Sequence, residues 1–506
     1  MADDQRDVIA FLADPGSYGA GVDRVERLET HISLVFLAGD SAYKLKRAVK
    51  YPYLDFSTAA LRGEACATEL ALNRRSAAEL YLTVKTIGRD ADGRIGWDRG
   101  EPVDHVVVLR RFEQERVLDN IAQTHGLDPP LIHALAAHIA EFHAGTDIRL
   151  AQGGATAMAK VAADAIRNCR DAGLDPERID KLNRAWQSEL QRLAPLLDRR
   201  RDAGRVRRCH GDLHLRNICL LDSGPVLFDC LEFSEDLATI DVLYDVGFLL
   251  MDLIHRGHND DANRLLNRYL DLTTEEDGLA AVPFFVSLRA AIRAHVAATA
   301  AQFADRGTQI AEAHRYLDLA HASLHRPSPV LVAIGGLSGS GKSSLAARLA
   351  ADLGPVPGAR PLRSDVLRKR RFGIAPETPL PDSGYAPEVT EAVYTDIATK
   401  AAAALAAGDS AVIDAVSLAP EERASFAAVA RNAGVRFIGL WLEAPPAVMA
   451  ARIAARRGDA SDATTEILER QLRSNPGRLD WHRIDASGEV EATLSAARRV
   501  SKQAER

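Results

Sequence analysis

The chain has 506 residues, 47% of them hydrophobic and 26% charged, with a formal net charge of −7. That is too long for one core, so two to four domains are expected, and the ordinary composition excludes a low-complexity chain. From Ser328 onward 23 basic residues face 21 acidic ones, so that part is near +2 and the rest near −9. Neither is the footprint of a nucleic-acid binder. The start, MADDQRDVIA, has no basic segment followed by an apolar one, the mark of a signal peptide. No apolar run is read as approaching the ~18 residues of a membrane span. The five cysteines lack CxxC spacing and read as reduced thiols packed as small hydrophobes. A cytoplasmic protein without a membrane partner is expected.

Residues 1 to about 21 read as a helix and a turn. The Gly16, Gly19, Gly21 cluster follows no strand, so it reads as turn chemistry rather than a nucleotide loop. Three strand-like runs follow, Val22–Thr30, Ile32–Ala38 and Ala42–Arg47, with Gly39-Asp40 turning the second into the third. Lys44 and Lys46 are two apart in the third run, so they project from one face. A helix near Leu61–Leu80 carries Glu64 and Glu69. Tyr81–Gly88 and Val103–Phe112 read as an antiparallel pair, with Asp92-Gly93 as turn material between them. From about Arg116 the pattern turns helical. His133, His138 and His143 in Leu131–His143 are five apart, about 140° round a helix at each step, which argues against a shared metal face.

The next informative stretch is Arg207–Asp252. His210-x-Asp212-x4-Asn217 is followed by Asp229 at the end of the apolar run Pro225–Phe228. Asn217–Leu221 and Val226–Phe228 read as a short strand pair turned by Asp222-Ser223-Gly224. This pattern suits phosphoryl transfer: Asp212 accepts or orients the proton of an acceptor hydroxyl, and Asn217 and Asp229 hold the Mg²⁺ ions that bridge ATP phosphates. His210 reads as a hydrogen-bonded scaffold group. His214 falls four residues on, in a segment that is not plainly helical, and is not taken as a metal ligand. Helices at Asn259–Leu270 and Pro283–His325 lead to a stiff linker at 326–329.

Beyond it, Val330–Ile334 has the pattern of a buried parallel strand and breaks into Gly336-Leu337-Ser338-Gly339-Ser340-Gly341-Lys342-Ser343-Ser344. This fits the phosphate-cradling loop G-x4-G-K-[ST] between a strand and a helix. Glycines let consecutive N–H groups point inward, and the helix adds its free amides and positive end. Lys342 reaches the β- and γ-phosphates, and Ser343 ligates Mg²⁺. Further strands are expected at Ala359–Arg363, Ala411–Asp414, Arg436–Leu442 and Arg483–Asp485, in a doubly wound parallel sheet whose site lies at the strands' carboxyl ends. There stand Asp365 with Arg368 one turn on, to bind and deprotonate an acceptor hydroxyl. Asp414 is there too, to tune Mg²⁺ and its waters. Arg452, Arg456 and Arg457 precede GDASD as a lid that neutralises charge on the transferred phosphate. The loop Gly373–Ala386 reads either as ordering over substrate or as a surface excursion.

His210-Gly211-Asp212, Asn217 and Asp229 resemble the catalytic and metal-binding segments of aminoglycoside phosphotransferases and related small-molecule kinases, over roughly residues 20–325. The resemblance implies a protein-kinase-like α+β bilobal domain at 1–325, with a small lobe at about 20–113 and a helical lobe at about 114–325. It implies that Lys44 contacts the α/β-phosphates with Glu69 as its ion-pair partner; Lys46 and Glu64 stay open as rivals. Leu109–Phe112 would be the hinge under the adenine, Thr30–Ser33 the loop over the phosphates, and Asp245 the brace of the catalytic loop. The second part, 330–506, is similar to small P-loop kinases of the polynucleotide-kinase, gluconate-kinase and zeta-toxin type, an α/β domain.

The expectation is a two-headed ATP- and Mg²⁺-dependent phosphotransferase acting on hydroxyl groups of small molecules. Three alternatives stand beside it: one active head with a nucleotide-binding regulator, a nucleic-acid 5′-hydroxyl kinase, and a nucleotide-sensing ATPase. The near-neutral charge of the second part argues against nucleic acid. The acceptors, the activity of each head and the oligomeric state are open at this point.

Overall fold

The computed structural model describes residues 4–30, 32–51, 54–302, 305–456 and 458–503. They form two compact units, residues 1–160 with 194–252, and residues 161–193 with 253–506.

The first unit is built on an antiparallel sheet of β1 (Val25–Glu29), β2 (Ser33–Ala38), β3 (Ser41–Lys46), β4 (Tyr81–Arg89), β5 (Ile95–Trp97) and β6 (Glu101–Arg110), in the order β1-β2-β3-β6-β4-β5. Strand alternation sorts β3 between two cores. Leu45 joins Val8, Leu12, Phe36 and Val106 beneath α1 (Arg6–Ala13). Ala42 joins Cys66, Tyr81 and Val107 on the opposite side, where α2 (Ala59–Ala77) packs. Lys44 and Lys46 share the parity of Ala42 and so face α2. β5 was not foreseen: Asp92-Gly93 turns β4 back into it before the chain enters β6.

Helix α2 starts where Thr58 Oγ1 accepts from Leu61 N–H, a cap worth about 1 kcal/mol. Arg62 on α2 makes a fully buried pair with Asp104 of β6, at 2.8 Å. Beyond the sheet run α3 (Leu118–Thr124) and α4 (Pro129–Ala144), the latter capped by Asp128 with Pro129 in its first turn. Helices α5 (Gly154–Asp171) and α6 (Pro176–Asp202) follow. Then come β7 (Val206–Arg208), the hairpin of β8 (Ile218–Leu221) and β9 (Gly224–Leu227), β10 (Thr239–Asp241) paired to β7, and α7 (Val242–His255).

The second unit contains α8 (Asn259–Thr273), α9 (Val282–Ala300) and α10 (Arg306–Ala322). The stretch Glu276–Ala300 corrects the expectation of no span-length apolar run: it is long and apolar enough to cross a membrane, yet 78% of its apolar window is buried in the interior. The buried Trp186 Nε1–H donates to Ser287 Oγ of α9 at 2.9 Å.

Downstream lies a parallel sheet of β11 (Val330–Gly336), β12 (Arg360–Arg363), β13 (Ala411–Asp414), β14 (Arg436–Glu443) and β15 (His482–Asp485), ordered β12-β13-β11-β14-β15. Its helices are α11 (Lys342–Ala350), α12 (Ser364–Arg371), α13 (Pro387–Ala406), α14 (Pro420–Asn432), α15 (Pro446–Ala455), α16 (Thr465–Arg473) and α17 (Val490–Gln503). Every residue of β11 is buried. Val330, Val332 and Ile334 face one apolar layer, Leu331 and Ala333 the other, as a two-sided parallel strand requires. Because all five strands are parallel, their carboxyl ends gather the phosphate loop, Arg363, Asp414 and Glu443 at one edge.

Candidate active sites

In the first unit both lysines of β3 converge on one carboxylate. Lys44 Nζ lies 2.8 Å from Glu69 Oε1 and 2.5 Å from Asp229 Oδ1. Lys46 Nζ lies 2.6 Å from Glu69 Oε2 and 2.5 Å from Glu232 Oε1. Glu64, five residues before Glu69 and so on another face of α2, is exposed and takes no part. The choice between lysines dissolves: both hold Glu69, and Lys44 alone of the two also reaches Asp229.

Burial works against the Lys44 ammonium, but Asp229 and Glu69 outweigh it and hold its pKa well above the usual value. Burial likewise opposes the charge on Glu69, and the two ammonium groups prevail, drawing it down to about 2. Glu232 is raised, burial being the stronger influence there. Sequence reasoning missed Glu232. The available signal was its place three residues after Asp229, in the same polar turn.

The loop between β7 and β8 is tied down from behind. Asp245 Oδ2 accepts from His210 N–H at 3.0 Å and Asp245 Oδ1 from Gly211 N–H at 2.9 Å, while His143 Nε2 lies 3.1 Å from Oδ2. His210 Nε2 sits 3.0 Å from the Phe228 carbonyl, a buried scaffold contact. Asn217 Nδ2–H donates to the Asp212 backbone carbonyl at 2.9 Å and to Asp212 Oδ2 at 3.0 Å. This leaves the Asn217 amide oxygen as the atom to offer a cation. His214 stands 3.5 Å from Asp212 Oδ2. Asp229 has φ 64°, the left-handed region that non-glycine residues seldom enter. Its N–H donates to Tyr81 Oη at 3.2 Å. The hinge candidate Leu109–Phe112 continues β6, with Phe112 edge-on to Phe228. Within the proposed phosphate-covering loop, Thr30 N–H donates to the Ser33 carbonyl in a tight turn, and His31 lies outside the described residues.

In the second unit the phosphate loop opens on a cavity of about 340 Å³. It is lined by Ser338, Gly339, Gly341, Lys342, Ser343 and Ser344 on one side, and by Asp365, Arg368, Tyr385, Asp414, Glu422 and Arg456 on others. Gly339 has φ +81°, and a Cβ there would stand 2.5 Å from the Met449 carbonyl, so the curl needs glycine. The Ser340 hydroxyl is buried without a hydrogen-bond partner, and Lys342 Nζ–H donates to the Leu337 carbonyl at 2.9 Å. Burial lowers the Lys342 pKa; Asp414 and Asp365 oppose that, while Arg456 and Arg363 reinforce it. Such a cradle of inward amides with an under-compensated ammonium fits a polyphosphate.

Arg363, at the end of β12, went unnoticed in the sequence. Its guanidinium lies 3.3 Å from Asp414 Oδ2 and 3.2 Å from Asp459 Oδ2, joining the second-strand acid to the lid segment. Burial raises the Asp365 carboxyl above its ordinary pKa, against the pull of Arg363. Arg368 NH1 donates to the Gly384 carbonyl at 2.8 Å and to Thr390 Oγ1 at 3.2 Å, and its guanidinium lies over the Tyr385 ring. The 373–386 loop, though largely exposed, is tethered to this wall at Gly384 and Tyr385. Asp462, in the segment expected as a lid, accepts from Leu380 N–H, Tyr385 Oη–H and Lys369 Nζ–H at 3.1, 2.5 and 2.9 Å, which brings Tyr385 to the cavity wall.

The arginine cluster divides. Arg456 lines the cavity. Arg452 does not: its guanidinium is held by the Ala486 and Gly488 carbonyls at 2.8 and 3.0 Å, beside Gly341. One turn of helix separates the two, and α15 ends between them. Arg457 lies outside the described residues. Gln471 of α16 was also missed; its Oε1 accepts from Ser338 N–H at 2.8 Å. Nothing local in sequence marks a glutamine 133 residues from its partner.

A family model described as "AAA domain" matches residues 331–476, and one described as "Phosphotransferase enzyme family" matches residues 58–284. The uncharacterized protein Rv2004c of Mycobacterium tuberculosis is 31% identical over 491 residues, covering 94% of this chain and 95% of that protein. Among solved structures, a choline/ethanolamine kinase family protein from Mesorhizobium loti is 16% identical and covers 62% of this chain and 97% of its own, with TM-score 0.40. A gluconokinase from Sinorhizobium meliloti is 23% identical and covers 35% of this chain and 94% of its own, with TM-score 0.25.

Proposed function

The chain belongs to the family of that mycobacterial protein and is a phosphotransferase-type enzyme, a kinase-like domain followed by a P-loop domain; on that premise we propose that both sites transfer the γ-phosphoryl group of ATP to hydroxyl groups of small molecules in the cytoplasm. What supports this is that each site holds a lysine suited to phosphate, part-buried in the first and buried in the second, together with a carboxylate that could take a proton. These are Lys44 with Asp212 in one unit, and Lys342 with Asp365 in the other. Phosphoryl transfer asks for positioning and charge stabilisation more than covalent chemistry, and these groups supply both.

Asp365 stands at the mouth of the phosphate loop with its pKa raised by burial, the tuning that suits a group accepting a hydroxyl proton. Asp212 is oriented by Asn217. Arg456 faces the space where charge gathers on the moving phosphoryl group. Mg²⁺ would be held by Asn217 and Asp229 in one site and by Ser343 and Asp414 in the other, supplying neutralisation of the phosphate oxygens. The donor sets fit: oxygen ligands, with the Asn217 amide oxygen free to turn inward. The cavity of about 340 Å³ suits a small acceptor beside the polyphosphate.

The test is incubation with labelled ATP and a cell metabolite extract, using the wild type, Asp212→Ala and Lys342→Ala. Each variant is expected to lose a distinct set of labelled products. If either leaves every product intact, the two-headed reading fails. A second reading, in which the first site binds nucleotide without transferring it, is favoured by Lys44 sitting 2.5 Å from Asp229, the carboxylate a metal would need. It predicts that Asp212→Ala alone changes no product.

A further inference from the structure

The matched families end and begin at residues 284 and 331, but the second compact unit ignores that boundary: it holds α8 and the turn after it together with the P-loop sheet. The junction is polar and buried. Asn263 and Asn267 of α8 donate through Nδ2–H to the Ala359 carbonyl, which leads into β12, at 3.0 and 3.3 Å. Arg360, 3% exposed, donates to Asn267 Oδ1 at 3.2 Å and lies 2.5 Å from Asp271 and 3.5 Å from Glu276. Glu276 also takes Arg370 NH1 at 2.7 Å and Lys400 Nζ at 3.0 Å. Arg268 of α8 lies 3.1 Å from Glu377, in the loop that carries Tyr385.

These contacts converge on one object. Arg360 opens the strand that ends at Arg363; Ser364 and Asp365 open α12; Arg370 sits in its last turn. The helix bearing Asp365 is therefore gripped at the strand before it and at its far end, by acids that lie outside the P-loop family segment. A surface pair is worth little, but Glu276 faces three cations in a half-buried setting and forms a network.

We propose that Glu276, acting through Arg370, is a positioning residue for the P-loop site: the helical segment of the phosphotransferase half sets the placement of α12, and with it Asp365 and Arg368. The proposal rests on the phosphotransfer reading only for what Asp365 does; the placement itself is independent of it. This placement means that the P-loop half has no complete acceptor side without residues 263–276.

The experiment uses the full chain with Arg370→Met, Glu276→Gln, the double variant and Arg370→Lys. Hydrogen exchange of residues 364–385 is expected to rise about tenfold in either single variant. Exchange of β11 and the Lys342-dependent affinity for a fluorescent ADP analogue should stay within about twofold. The double variant should be no worse than the worse single one, and Arg370→Lys should restore the wild-type rate, because the pair acts as a unit. Where the P-loop site hydrolyses ATP, kcat falls about tenfold in Arg370→Met with KM for ATP unchanged. Unchanged exchange at 364–385, exchange raised equally in β11, or additive single effects each overturn the proposal. Absence of ATP hydrolysis would count against the phosphotransfer reading alone, since the exchange measurements do not depend on it.

Discussion

Lys44 of the first site and Lys342 of the second, both proposed to take phosphate, stand in different electrostatic surroundings. Lys44 is flanked by Asp229 and Glu69, which hold its ammonium charged. The Lys342 charge is disfavoured chiefly by burial, which Asp414 and Asp365 only partly offset and which Arg456 and Arg363 reinforce. The first site is neutralised within itself, and on the proposed reading a metal taking the Asp229 carboxylate would displace the Lys44 contact. In the second, burial outweighs the pull of Asp414 and Asp365 on the Lys342 ammonium, which a polyphosphate would compensate. On the proposed reading, similar chemistry on two scaffolds would start from two resting states: one closed on its own ion pairs, the other holding a buried lysine whose charge an anion would stabilise.

The harshest way to break this contrast is Glu69→Gln. It leaves two ammonium groups in the sheet with one fewer carboxylate, and removing one partner of a buried pair costs roughly 3–5 kcal/mol. Denaturant unfolding should lose that much stability in the first unit's transition while the second unit's is unmoved. Acid sharpens the same point. Glu69 is held at about 2 against an ordinary 4.5, so its contribution is complete above 4.5 and is lost as pH falls from 4.5 toward 2. The Gln variant should lose less stability through that window.

Next in size come the lysines' functional partners. Lys342→Ala and Asp212→Ala are each expected to lower the transfer rate of their own site by about 10²–10³, the effect of removing one charge-stabilising or proton-accepting group. Product-resolved rates check this. A loss in both product sets from one variant would mean that the sites are not independent.

The contrast also predicts proton traffic. The Lys342 pKa lies below 10.5 in the free protein and returns upward when phosphate oxygens surround it. Between the lowered value and 10.5, polyphosphate binding at this site should take up a proton. Its calorimetric enthalpy should therefore vary with the ionisation enthalpy of the buffer. In the same window the folded state binds fewer protons at Lys342 than the unfolded state, so the unliganded unit gains stability as pH rises. Lys44, already held charged below 10.5, should show no uptake in the Lys342→Ala protein.

Much of this was legible because the decisive residues are local. The phosphate loop, HGD with Asn217 and Asp229, and Asp365 with Arg368 are short spacings dictated by one turn or one strand end. The two-residue period of β3 puts both lysines on one face, and the resemblance offered Glu69 or Glu64 as their partner. What stayed hidden depends on partners distant in sequence: Glu232 beneath Lys46, 186 residues away; Gln471 on Ser338, 133 away; Arg363 between Asp414 and Asp459. Arg452 and Arg456 look alike in sequence, and only the end of α15 sends them to different neighbours. The loop 373–386 was undecidable because what orders it is Asp462, some eighty residues on.

The smallest effect separates the helix from the charges it carries. Thr58 caps α2 through Leu61 N–H, and Glu69 lies three turns further on. Thr58→Ala should cost about 1 kcal/mol by leaving that amide unpaired. If the ion pairs of Lys44 and Lys46 rather than the helix end fix Glu69, the variant will unfold earlier by that amount while the first site's transfer rate changes less than about twofold. A rate loss as large as that of Asp212→Ala would mean instead that α2 frays far enough to move Glu69. The self-neutralised resting state of the first site would then depend on a cap more than two turns away from it.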